Sequence, residues 1–151
     1  MEFEFLQNGL ITGLLATLFM TIFQIPIWKK WGIFSILEWH ENQTLTSKLF
    51  NKSIDDSLLP SFAFHSLHGG LGGIGFAAVV YYFHITNYIF AGSVLGVLFT
   101  FILLLIHKPI TGNSPFKQPL NMNPFGPFVI SLISHLVYGL TLGYFLSILS
   151  I

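Results

Sequence analysis

The chain has 151 residues, 53% of them hydrophobic and 17% aromatic, with only 8% charged and a net charge of zero. So few charges cannot cover the water-facing surface of a soluble domain of this size, and the bilayer is the expected solvent and lipid the first partner. All six cations are lysines, which excludes bidentate guanidinium recognition of phosphates or carboxylates; with no basic tract, nucleic acid is not an expected partner. Cysteine is absent, so disulfides, thiolate ligands and cysteine nucleophiles are excluded.

The amino terminus carries Glu2 and Glu4 where a cleavable signal needs positive charge, so the first hydrophobic segment is expected to be retained. Four runs, about 8–28, 61–83, 87–107 and 127–150, each supply the roughly 20 apolar residues that cross about 30 Å of hydrocarbon. None contains Asp, Glu, Lys or Arg. The expected fold is therefore all-α, a single-domain polytopic membrane four-helix bundle. Lys29, Lys30, Lys48 and Lys52 follow the first run, and Lys108 and Lys117 follow the third. Under the positive-inside rule, loops 29–60 and 108–126 are cytoplasmic and both termini lie outside. The glycosylation sequons at 42–44 and 51–53 are then chance matches.

The first long loop mixes Trp28, Trp31 and Trp39 with Lys29, Lys30, Glu38 and Glu41, a composition expected to lie in the headgroup layer. Its Glu38, His40, Glu41 cluster could bind a divalent ion, but the expected role is a solvated helix face. The second long loop, with Pro109, Pro115, Pro119, Pro124 and Pro127, predicts an irregular, stiff cap.

Small and polar residues recur every four positions within the runs. The first carries Gly9, Gly13, Thr17 and Thr21, and the third Gly92, Gly96 and Thr100, related by a shift of 79 residues. The second carries Ser61, His65, Gly69, Gly73 and Ala77. The fourth carries Ser131, His135, Gly139, Gly143 and Ser147, a shift of 70 residues away. This pattern predicts two repeated helical hairpins, about 1–83 and 87–151, in the same orientation. Such stripes let backbones approach closely where no hydrophobic effect operates between helices, so they are expected to face inward.

Of the six histidines, His84 and His107 fall at span ends, where interfacial water is expected to hydrate them. His65 and His135 fall on the inward stripes, with His68 one turn from His65. An ionisable group inside a span is a functional candidate. The plainest expectation is a hydrogen bond from each to a threonine, Thr21 or Thr100, or to a backbone carbonyl on a neighbouring helix. The alternative is that His65, His135 and His68 bind a cofactor, a haem or a metal ion, between the helices. Ser66 lacks an acid that would orient His65, so no nucleophilic triad is indicated.

Gly13-Leu14-Leu15-Ala16-Thr17, Trp31-Gly32-Ile33-Phe34 and, above all, the stretch from His135 to Gly143 with its H-x-x-Y-G-x-x-x-G pattern resemble an uncharacterised family of small four-helix membrane proteins common in archaea. The likeness covers most of the chain; it implies the four-helix architecture and carries no activity or catalytic residue. From the residues, the leading expectation is a non-enzymatic accessory subunit packing against other membrane subunits or copies of itself, in an assembly such as a membrane monooxygenase or respiratory complex. A haem- or metal-binding bundle is the second reading, and a small channel or carrier the third.

Overall fold

The computed structural model describes residues 3–116, 122, 123 and 125–150, and these contain helices and no strand. In chain order the helices are α1 (Phe3–Trp31), α2 (Leu37–Phe50), α3 (Leu58–Tyr82), α4 (Tyr88–Thr111) and α5 (Gly126–Leu149). Four of them, all but α2, are long and apolar enough to cross a membrane, and they coincide with the four runs expected from hydropathy. The chain is thus a multi-pass membrane bundle. Of the proline-rich second loop, Lys117, Pro119 and Pro124 lie outside the described residues, whereas Lys108 and Pro109 belong to the last turns of α4.

Local chemistry sets the helix ends. After α1, Gly32 adopts φ +79°, its N–H donating to the Trp28 carbonyl at 2.8 Å, and Ser35 Oγ donates back to Gly32 O at 2.6 Å. The 3₁₀ turn Ile33–Ser35 then reverses the chain into α2. Asn87 caps α4 by accepting from the Phe90 N–H at 3.1 Å, and Gly112, at φ +74°, ends it.

Lipid gives helices no hydrophobic reason to associate, so close backbone packing must do so. Helix α1 pairs extensively with α3, and α4 with α5. A Cβ placed on Gly13 would come within 2.9 Å of Gly73 Cα, and one on Gly139 within 2.7 Å of the Gly92 carbonyl carbon. The two hairpins use matching positions. Gly73 abuts the carbonyl of Gly9, while Gly143, 70 residues on from Gly73, abuts that of Tyr88, 79 residues on from Gly9. Thr17 and Thr100 are buried and turn their hydroxyls onto their own helices, to Gly13 O at 2.8 Å and Gly96 O at 3.2 Å. Thr21 is only half-buried. Outward faces carry Leu10, Leu14, Leu18, Phe101 and Leu105, suited to lipid.

Helix α1 also packs on α5, so the spans are ordered α3, α1, α5, α4, and α3 scarcely touches α4. The open side is filled at the end near the first loop by α2, which packs on both α3 and α4. This overturns the headgroup-layer expectation for the Trp-rich loop. Ile36 is fully buried and Trp39 is 2% exposed, its ring edge-on to Phe62 at 4.8 Å. These apolar anchors, three residues apart, seat α2 inside the bundle instead of along its surface.

Gly73→Val or Gly139→Val forces a side chain into backbone, and overpacking of this kind costs about 1–3 kcal/mol. Gly75, whose Cβ would meet nothing within 4 Å, is the control: Gly75→Ala is expected to be neutral or to stabilise by about 0.5–1 kcal/mol, the helix-interior cost of glycine. Equilibrium unfolding in detergent micelles reads both; a Gly73→Val protein as stable as wild type would refute the close approach.

Candidate functional site

Seating α2 in the gap places one of its stripes, Glu38, Glu41, Asn42 and Leu45, toward the bundle interior, at the i, i+3, i+4, i+7 spacing of a single helix face. Opposite stand His65, His68 and Gly69 of α3, Phe99 and Leu103 of α4, and His135 and Tyr138 of α5, with Thr17 and Met20 of α1 behind. Together they line a partly open chamber of about 170 Å³. His135, Tyr138, Gly69 and Phe99 all lie near the middle of their helices, so the chamber reaches the mid-height of the bundle.

The acidic cluster is not a solvated face. Glu38 and Glu41 are each 4% exposed. Glu38 accepts a hydrogen bond through Oε1 from the amide of Gln24, a fully buried residue of α1. Glu41 Oε1 lies 2.8 Å from His107 Nδ1. His107 is 2% exposed, which corrects its expected hydration at a span end: α2 covers it. His40 is likewise buried, its ring packed against Phe34 at 4.7 Å and His107 at 5.5 Å.

Burial pushes the Glu38 carboxyl up from its usual value of 4.5. Burial, with neighbouring Glu38 as a second cause, pushes Glu41 up to about 9. Glu41 is then protonated at neutral pH and donates its O–H to His107 Nδ1. The apolar runs 8–28, 61–83, 87–107 and 127–150 carry no acid, but α2 brings two into the bundle interior. Proton exchange in this bundle would therefore not rest on histidine alone.

His65 and His135 both line the chamber, as their stripes predict, and His68 stands at its margin with its ring against Phe64 at 4.6 Å. Neither inward histidine meets the threonines expected for it. His135 Nδ1 is 2.8 Å from the Ser131 carbonyl, so its N–H donates within α5. His65 Nδ1 is 3.4 Å from the Asn42 amide nitrogen; with that amide donating, the ring proton sits on Nε2. Tyr138 donates across the bundle to Gly69 O at 2.7 Å.

Two chamber residues each leave a buried polar atom without a partner: Nε2 of His65, a residue 8% exposed, and Oε2 of Glu38. Such atoms cost about 1–3 kcal/mol apiece unless something completes them, and native proteins carry few. The volume is below the roughly 300–1,000 Å³ of sites that enclose drug-sized ligands, so the chamber does not enclose a haem macrocycle. Among the described residues no three His, Asp or Glu side chains converge as a metal site requires. What it does match is one aromatic ring, since an apolar cavity of about 150 Å³ holds benzene.

Gln24 and His107 are residues of this network that sequence reasoning missed, while Glu38 and Glu41 were singled out but expected on a solvated face. The available signals were the polar Gln24 inside an apolar run and the shared spacing of Glu38, Glu41 and Asn42.

A carboxyl with a raised folded pKa stabilises the fold fully below its unfolded value and loses that contribution as pH rises through the folded value. Thermal stability in detergent is accordingly expected to fall between about pH 4.5 and pH 9, and Glu41→Gln should flatten that slope. Infrared spectra at pH 7 should show the carbonyl stretch of protonated carboxylic acid, weakened in Glu41→Gln; its absence from the wild type would show Glu41 to be ionised. Comparison of the chain with protein-family models, with curated proteins and with solved structures found no match.

Proposed function

We propose that the chain is a membrane-embedded binding protein whose central chamber takes one uncharged, ring-sized group able both to donate and to accept hydrogen bonds. The observation that carries this reading is the pair of unpartnered buried atoms, Glu38 Oε2 and His65 Nε2, on residues lining one cavity of about 170 Å³. Burial disfavours the charged form of the Glu38 carboxyl, and no lysine lines the chamber, which together favour a hydroxyl or carbonyl over an ion. The fit of the chamber to one ring supports it further. In class this is closest to the binding-bundle reading, with His65 and His135 serving an organic ligand instead of a haem or metal ion.

Hydroquinone and toluene are of similar size, and only the first can pair with these atoms. Hydroquinone is expected to raise the melting temperature saturably, as a ligand of the folded state must, and toluene is not. His65→Leu and Glu38→Leu should each abolish the shift. Equal stabilisation by toluene, or none by either compound, would overturn the reading.

A second reading, an accessory subunit of a larger membrane assembly, is favoured by the bulky outward array of Phe19, Phe90, Phe101 and Tyr144. A stoichiometric partner co-eluting in mild detergent would establish it. The likeness to small archaeal four-helix proteins fits either reading.

We also propose cytoplasmic long loops and outer termini, on the placement of all six lysines. The natural chain has no cysteine, so single-cysteine labelling is clean. In intact cells a membrane-impermeant maleimide should label Asn87→Cys and spare Lys52→Cys; the reverse pattern would invert the topology.

A further inference from the structure

The same open side of the bundle that admits α2 is left unfilled beyond it. Between α3 and α4, toward the 83–87 connection, runs a groove of about 620 Å³ walled by Phe76, Val79, Val94 and Leu98 with Gly72 and Gly75 on its α3 side. Its lining is apolar throughout, and it is open laterally, since Val79, Val94 and Leu98 are each exposed. These two glycines are not needed for helix pairing. A Cβ on Gly75 would meet nothing within 4 Å, and one on Gly72 would meet only the Tyr138 hydroxyl at 2.8 Å and the Phe99 ring. What their missing side chains create is space.

Groove and chamber are adjacent, with the Phe99 ring and the Tyr138 hydroxyl at their boundary. Phe99 lines both, and Gly69 of the chamber stands one helix turn from Gly72 of the groove, with Tyr138 between them. From Gly72 to Val80 the groove follows about 12 Å of helix at 1.5 Å per residue. Its volume falls within the range of sites that enclose whole ligands. Among the described residues no lysine lines either compartment, so a phosphate or carboxylate headgroup would find two carboxyls and no cation.

Building on the proposed chamber function, we infer that the ligand is a chain-bearing quinol: its ring lies in the chamber between Glu38 and His65, and its apolar tail lies in the α3–α4 groove. A quinol carries two opposed hydroxyls on one ring, which matches two unpartnered atoms contributed by two different helices. The lateral opening gives such a molecule a path from the bilayer that never exposes its tail to water. An ordinary phospholipid acyl chain could occupy the groove, but its charged headgroup could not follow into the chamber.

The test uses the full chain in phosphatidylcholine nanodiscs, with binding read by calorimetry for decyl-hydroquinone and for tail-less hydroquinone. Wild type is expected to bind the decyl compound at least tenfold more tightly than the tail-less one. Gly75→Phe, which fills the groove without a backbone clash, should remove that advantage and leave hydroquinone binding unchanged. Val94→Trp, from the opposite wall, should do the same and guards against a folding defect in one variant. Should hydroquinone bind while both variants retain the full advantage of the tail, the tail assignment falls and the chamber reading stands. Competition by dodecylphosphocholine as effective as that by decyl-hydroquinone would show the groove to be a general lipid site and overturn the inference. Failure of both hydroquinones to bind wild type would overturn the inference together with the chamber reading.

Discussion

Everything else in this bundle follows from backbone contact at glycine. With lipid on all sides, helices gain nothing from hiding apolar side chains, and only dispersion between closely apposed surfaces holds them. Gly9, Gly13, Gly69 and Gly73 bring α1 onto α3, and Gly92, Gly96, Gly139 and Gly143 bring α4 onto α5. Each hairpin spends its small-residue stripe on its own partner. The spans α3 and α4 have no such stripe left for each other, and they stand apart.

That separation is what gives the molecule an interior. A bundle with four equal interfaces would be filled by its own side chains. Here the gap accepts α2, a helix with Glu38, His40, Glu41, Asn42 and Gln43 all buried. Burying such groups is tolerable only because most are hydrogen-bonded: Glu38 to Gln24, Glu41 to His107, Gln43 to the Ile54 carbonyl at 2.7 Å. Gln24, Trp39, Gln43, Ser134 and Ser150 each leave one polar atom unpartnered away from the chamber, whereas one oxygen of Glu38 and one nitrogen of His65 belong to residues that line it. Unfinished hydrogen bonds beside a cavity are where a ligand gains most from binding.

The two halves of the gap differ in chemistry because they differ in who fills them. At the first-loop end α2 contributes polar groups, whereas toward the 83–87 connection α3, α4 and Ile85 of the connection contribute, and their residues there are apolar. A polar chamber beside an apolar groove is a direct result of one short helix filling half of a long cleft. The chamber's ionisable side chains follow the same division: Glu38, Glu41, His65 and His135 lie at the α2 end.

Run length determined the four spans from sequence, because crossing hydrocarbon requires about 20 apolar residues and that demand is local. Spacing determined which helix faces are inward and which histidines line the interior, since His65 and His135 share their stripes with the packing glycines. The fate of α2 was not local. Its tryptophans and charges suit a headgroup layer equally well, and only the gap between α3 and α4, a product of contacts between residues far apart in the chain, decided that it enters the bundle. For the same reason the pairing of Glu41 with His107, 66 positions apart, and the raised pKa of both acids belong to the tertiary structure: burial is a property of what surrounds a residue, and the sequence specifies those surroundings only through the assembled fold.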